Sequence, residues 1–402
     1  MDSLHFLPAW PPTFMPLAWV AVLLLAAIVA GESVRRFLRI SRVIGYLAVG
    51  ALLGPAAVGV IDSGTAGQLR IFVDIAVGML LFELGQRVDL SWLRRNPSLL
   101  AASVLEAVLT AMLVYVAMRW FDIRPLTAAA AALLAVATSP AVVMTVIKDL
   151  RAQGQVAERV MLFSALNTAY AVIGLALMVG LLDYDSDRPL ATMVLHPLYL
   201  LAGSLVLAGV LAMVMLSLLR LFGRLPAFQF SATVSLVLLT VAAATMLNLS
   251  VPLALLLLGM FGRLLDHERH FVSLRFGETA MLFIVLLFAL AGAGLQFSGW
   301  STAVPLALAF VAARMIGKAV PILLLSNASG LALRKSSLVS LGLMPMSALS
   351  LLMLHELTRS SPALASEIGP PMFLAIALLA FAGPLLFEFA LRRAGEAAEE
   401  TV

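Results

Sequence analysis

The sequence predicts an all-α polytopic membrane protein with about thirteen transmembrane helices. Three observations predict it. Of the 402 residues, 62% are hydrophobic and only 12% charged; a soluble domain carries roughly a quarter of its residues as charges, so this chain has too little polar matter to coat a water-facing surface. Apolar stretches about as long as a bilayer is thick recur along the whole chain, and a backbone inside hydrocarbon satisfies its own hydrogen bonds as helix. The basic residues fall in the short gaps between those stretches, so the formal charge of +4 reads as orientation signal and no nucleic-acid surface is expected. The chain contains no cysteine, which excludes disulfide scaffolds and structural thiolate metal sites.

Charged, Gly and Pro clusters divide the chain into segments at about 16–38, 41–57, 70–88, 97–118, 125–148, 158–182, 194–220, 228–247, 250–265, 276–297, 302–325, 336–356 and 370–391. Most approach the ~20 residues needed to span hydrocarbon. Segments 2 and 9 are short and are expected to pack deep in the protein. Loops after odd-numbered segments, among them Arg35, Arg36, Arg94, Lys148, Arg263 and Lys335, hold nineteen of the 26 Lys and Arg residues, against five in the other loops. This places the N-terminus outside and the C-terminus in the cytoplasm, for a multi-pass protein of the inner (plasma) membrane. No basic residue precedes segment 1 and a basic cluster follows it, the charge order of an uncleaved anchor rather than a signal peptide. Residues 1–402 read as one transmembrane domain with no cytoplasmic regulatory domain.

Ionisable groups in hydrocarbon are costly and need a partner or water. Asp74, Glu278 and Glu388 lie near segment ends and read as interface residues, whereas Glu83, Glu106, Arg314 and Lys318 lie deep. A second anomaly sits mid-segment: Thr138, Ser139 and Pro140 in segment 5, and Pro345 and Ser347 in segment 12. Proline removes a helix donor and frees a carbonyl that must find another partner. One such proline reads as a packing kink. Two of them, seven segments apart and so in oppositely oriented helices, form the pattern of a transporter built from inverted halves.

Segment 2, SRVIGYLAVGALLGP, closely resembles the VGYLLAGILLGP-type signature of the monovalent cation:proton antiporter superfamily, in its bacterial potassium-efflux and sodium/proton branch. GMLLFELGQRVDL in segment 3, TSPAVV in segment 5, RMIGKAV in segment 11 and segment 12 resemble further stretches of that family in the same order. The resemblance implies inverted repeats with two crossed, unwound helices, segments 5 and 12. It implies panel or dimerisation helices at about 16–88 and 228–297, core helices at about 97–182 and 302–391, a linking helix at about 194–220, and a homodimer. Its activity would be alternating-access exchange of a monovalent cation, Na+ or K+, for protons, with no cofactor.

The departures from the family lie in the chemistry. The acidic pair expected on segment 6 is Asn167–Thr168, and no carboxylate lies between Glu158 and Asp183. Threonine can ligate a cation but cannot release a proton near neutral pH. Lys318 is kept, with Arg314 one helical turn before it on the same face. Three readings follow: an antiporter with a relocated carboxylate, a transporter of an anion or organic solute drawn by the excess positive charge, and a regulatory homologue that moves nothing. The family resemblance favours the first. Glu106, near the centre of segment 4, is then the replacement acid, with Thr138, Ser139, Asn167, Thr168 and Ser347 as neutral oxygens around it; a fixed structural pair of Glu106 with Lys318 or Arg314 is the competing reading. Lys318 either faces the broken helices or snorkels to the cytoplasmic interface. An enzyme is not expected: there is no H-E-x-x-H, and His267 and His270 in DHERH and His355 read as solvated.

Overall fold

Prolines and small hydroxyl residues set where many of the helices start. The computed structural model describes residues 16–38, 41–54, 57–59, 75, 77–86, 96–182, 190–222, 226–266, 278–293, 300–346 and 348–398. Among them all regular structure is helical. Helix α1 (Pro16–Ser33) ends in one π turn (Val34–Leu38), and Ser41 caps α2 (Arg42–Leu53) by accepting from the Val43 amide. α3 (Val77–Gln86) is short. α4 (Pro97–Trp120) and α5 (Pro125–Val136) both begin with proline at the first position, where the missing N–H costs nothing. They are followed by α6 (Pro140–Leu150), α7 (Gln155–Leu182), α8 (Leu190–Phe222), α9 (Pro226–Met246), α10 (Val251–Leu265), α11 (Glu278–Ala293), α12 (Trp300–Leu324), α13 (Leu333–Gly342), α14 (Ala348–Ser360) and α15 (Pro362–Ala394).

These helices fall on the segments read from the sequence, with segments 5 and 12 each split, into α5 plus α6 and α13 plus α14. Among the described residues, eight stretches, the joined α5–α6 among them, are long and apolar enough to cross a membrane, whereas α2 and α10 are shorter, and each buries one face, with Tyr46 and Leu47 on α2 and Leu255 and Leu256 on α10. α8 and α15 each run 33 residues, well past the apolar windows that located them. Polar residues extend α15: the Ser361 side chain accepts from the Leu364 amide ahead of Pro362, and Gly395, at φ 70°, closes the far end.

The inverted repeat is visible in the packing. α2 (segment 2) lies against α11 (segment 10), close enough that a Cβ on Gly50, Gly54 or Gly292 would overlap the opposing backbone. α3 (segment 3) meets α10 (segment 9) in the same way through Gly85 and Gly259. An offset of seven segments turns the first pair into the second, and it maps the α4·α12 pair (segments 4 and 11) onto itself. Small residues at both seams supply the close approach that helix association in lipid relies on.

Glu388 is 5% exposed and holds Arg392, one turn on, at 2.9 Å. Asp74, Ser347, His267 and His270, and the side chains of Glu278 and His355, lie outside the described residues.

Candidate functional site: the crossing of the two broken helices

Segment 5 breaks because Pro140 cannot continue a helix through its own missing N–H, and Ser139 turns the break into a fresh start. Its Oγ accepts from the Val142 amide, so Pro140 is the first residue of α6 rather than a kink. The other broken segment passes beside it: the Ser139 amide donates to the Pro345 carbonyl at 2.9 Å. The Thr138 hydroxyl donates to the Leu343 carbonyl at 3.3 Å. Behind the crossing α15 comes close, since a Cβ on Gly383 would press on the Pro345 ring and backbone.

A break of this kind leaves two helix C-termini inside the protein, those of α5 and α13. Each carries unpaired carbonyls and the negative end of a helix dipole. Arg314 answers both. Its Nε donates to Ala135 O at 3.0 Å and its Nη2 to Ala137 O at 2.9 Å, at the end of α5. The same guanidinium reaches the end of α13, with Nη2 to Leu343 O at 3.1 Å and Nη1 to Met344 O at 2.9 Å. A planar fork of five N–H groups can serve all four carbonyls at once, and an ammonium with three cannot.

One turn further along α12, Lys318 donates to Val136 O at 3.1 Å and to Glu106 Oε1 at 2.6 Å. Neither Glu106 nor Lys318 has any exposed surface, so Lys318 does not snorkel here. Thr110, four residues after Glu106 on the same face of α4, donates to the same Oε1 at 3.4 Å. α4 and α12 come this close because residue 317 is glycine: a Cβ there would sit 2.9 Å from Thr110 Oγ1 and overlap its Cα. Glu106 Oε2 is buried and has no hydrogen-bond partner.

On α7 the Thr168 hydroxyl lies 2.9 Å from Thr138 O and 2.8 Å from Ser164 O, which ties α7 to the break. Asn167 Nδ2 donates to Thr138 Oγ1 at 3.3 Å, and Asn167 Oδ1 is buried without a partner. The structure thus brings Glu106, Lys318, Arg314, Thr138, Ser139, Asn167 and Thr168 around residues 135–139 and 343–345. Most of the hydroxyls hold backbone; the oxygens left over are Glu106 Oε2 and Asn167 Oδ1. Sequence reasoning missed Thr110 and Gly317, and it missed that Arg314 is the clamp on both helix ends. A Thr four residues after a membrane-embedded Glu, and a Gly beside a membrane-embedded Lys, were the available signals.

Two broken helices crossing between inverted halves, with buried Glu106, Arg314 and Lys318 bonded to each other and to the chain ends at the crossing, define the class: a polytopic helical membrane protein of the antiporter fold. Residues 20–393 match the family described as sodium/hydrogen exchanger, transmembrane, and the chain belongs to that family, within the cation:proton antiporter superfamily. The fold is shared with the sodium proton antiporter MjNhaP1 from Methanocaldococcus jannaschii. A structure of that protein at pH 8 aligns with a TM-score of 0.69 at 16% identity, covering 94% of this chain and 96% of the other. A 3D EM map of the same antiporter aligns with a TM-score of 0.72 at 15% identity, covering 96% and 99%. Comparison with curated protein sequences gives no match. The family is one of transporters and not of enzymes.

Proposed function

We propose that this protein is a secondary active transporter that exchanges a monovalent cation, Na+ or K+, for protons, and that Glu106 is the carboxylate the two share in turn. The observation that carries this reading is the half-satisfied carboxylate. Lys318 and Thr110 hold one oxygen of Glu106, while the other is buried and free to take a cation or a proton. Asn167 Oδ1 supplies a second unoccupied oxygen at the same break, suited to a hard cation. A cation arriving at Glu106 competes with the Lys318 ammonium for the carboxylate, and cation and proton each bring one positive charge when they occupy it in turn.

The geometry speaks against an anion as cargo. The two cations that made the core look positive are already engaged, Arg314 by four carbonyls at two negative helix ends and Lys318 by Glu106 and a fifth carbonyl. Neither is left to recruit an anion.

In this reading all thirteen segments cross the inner (plasma) membrane, with the N-terminus outside, the C-terminus cytoplasmic and the chain a homodimer. Residues 16–88 and 228–297 form the panel, 97–182 and 302–391 the core, and 194–220 the link between them. One observation supports the alternation of sides: Asn96, Gln155 and Ser329, each following an odd segment, line one polar cavity of about 580 Å³. The test is a proteoliposome assay with an imposed pH gradient and a lumenal pH dye. Sodium, potassium or lithium salts should dissipate the gradient, and chloride or organic anions paired with an inert cation should not. A gradient untouched by every cation would overturn the reading.

A further inference from the structure

We propose that Asp149 is a lock between panel and core that must open in each transport cycle. The inference rests on the two-bundle antiport reading above. Asp149 lies at the far end of α6, in the core, and Arg35 at the end of α1 with Ser41 and Arg42 at the start of α2, in the panel, close around it. Arg42 Nη1 donates to Asp149 Oδ1 at 2.6 Å and the Arg42 amide to Oδ2 at 3.2 Å. Ser41 Oγ donates to Oδ2 at 3.3 Å, and Arg35 Nη2 donates to the Asp149 carbonyl at 2.9 Å. The Asp149 side chain is 5% exposed, and Glu32 holds Arg42 from the other side at 3.0 Å. Charge-assisted bonds at a largely buried carboxylate are the strong kind.

Two features mark this as built rather than incidental. Arg35 stands in the π turn at the end of α1; such turns are rare and concentrate at functional positions. α6 is also a straight connection from the lock to the ion site: its N-cap is Ser139 at the crossing, and Asp149 is one residue from its other end. About ten residues at 1.5 Å each make a rod of roughly 15 Å. If core slides against panel, the far end of that rod leaves Arg35, Ser41 and Arg42 and every one of these bonds breaks together. The lock therefore favours the conformation seen here and sets how often the alternative is visited.

The chain has no cysteine, so introduced thiols are unique and an oxidant leaves the parent chain uncrosslinked. In the transport assay the Ser41→Cys, Asp149→Cys double variant should exchange cations when reduced, lose exchange when oxidised to the disulfide, and recover on reduction. Exchange that continues at the reduced rate in the crosslinked protein would overturn the lock. Failure of the parent chain to exchange any cation would count against the proposed function instead. A second measurement is independent of transport: electron-spin distances between labels at Arg36→Cys and Lys148→Cys in nanodiscs, on either side of the lock. The parent background should give one dominant distance, and adding Asp149→Asn should give a second, longer population. One unchanged distance in both would overturn the proposal whatever the chain transports.

Discussion

Glu106 and Lys318, 212 residues apart in the chain, meet at 2.6 Å with no solvent-exposed surface on either side chain. A buried pair of this kind contributes little net stability as a pair, because desolvation offsets the attraction, but breaking it strands a charge.

Glu106→Gln should therefore lower stability, by about 3–5 kcal/mol on the scale of stranded buried charges. It should also abolish cation:proton exchange. The double variant Glu106→Gln, Lys318→Gln should recover most of the stability and none of the exchange. Thermal unfolding in detergent and the vesicle assay read the two effects separately. A double variant that exchanges cations would reduce Glu106 to a structural partner.

Arg314→Lys is expected to behave as a severe change despite keeping the charge. An ammonium has three N–H groups for the Ala135, Ala137, Leu343 and Met344 carbonyls, so at least one buried acceptor loses its donor. At about 1–3 kcal/mol for each unsatisfied group, that is the least the change should cost. A melting temperature within a degree or two of the parent would contradict this account.

Gly317→Ala tests the close approach of α4 and α12. The added methyl has no room against Thr110, so the helices must separate and the Glu106–Lys318 contact must lengthen. Overpacking of this kind costs about 1–3 kcal/mol. Pairing it with Thr110→Ser, which leaves the Cα clash in place, should not rescue exchange, and rescue would show that only the Thr110 side chain mattered.

Glu396 predicts a stability effect without a direct transport effect. Its carboxylate accepts from the Val156 and Ala157 amides at 3.0 and 2.9 Å and so caps α7, beside Gly154 at φ 150°. Glu396→Ala should cost about 0.5–2 kcal/mol, the range of a lost N-cap. Initial exchange rates at temperatures where the variant is folded should match the parent.

Much of the architecture was legible in the sequence because bilayer solvation imposes a coarse, repeated signal. Apolar length and basic gaps mark the segments, and Pro140 and Pro345 mark the two breaks. The ends of α8 and α15 were not legible from hydropathy, since they leave the apolar windows and depend on local caps such as Ser361. Glu106, Arg314 and Lys318 stood out one by one as charges in the wrong solvent. The contact of Glu106 with Lys318 was one of the pairings the sequence allowed; what Arg314 touches was not legible, because it binds backbone carbonyls and a carbonyl has no letter of its own. Asp149, at the edge of a basic loop, carries no sign in the sequence that Arg35, Ser41 and Arg42 close over it.

The shared guanidinium at the crossing has an evolutionary consequence. Two duplicated halves of a chain ordinarily drift apart independently, each under its own constraints. Here the end of α5 comes from one half, the end of α13 and the arginine between them from the other. A shift in either break that moves its carbonyls must be accommodated by the same side chain that serves its counterpart. The ancestral symmetry is thus under mutual restraint at one point of the molecule, while the lipid-facing remainder of both halves is free to diverge.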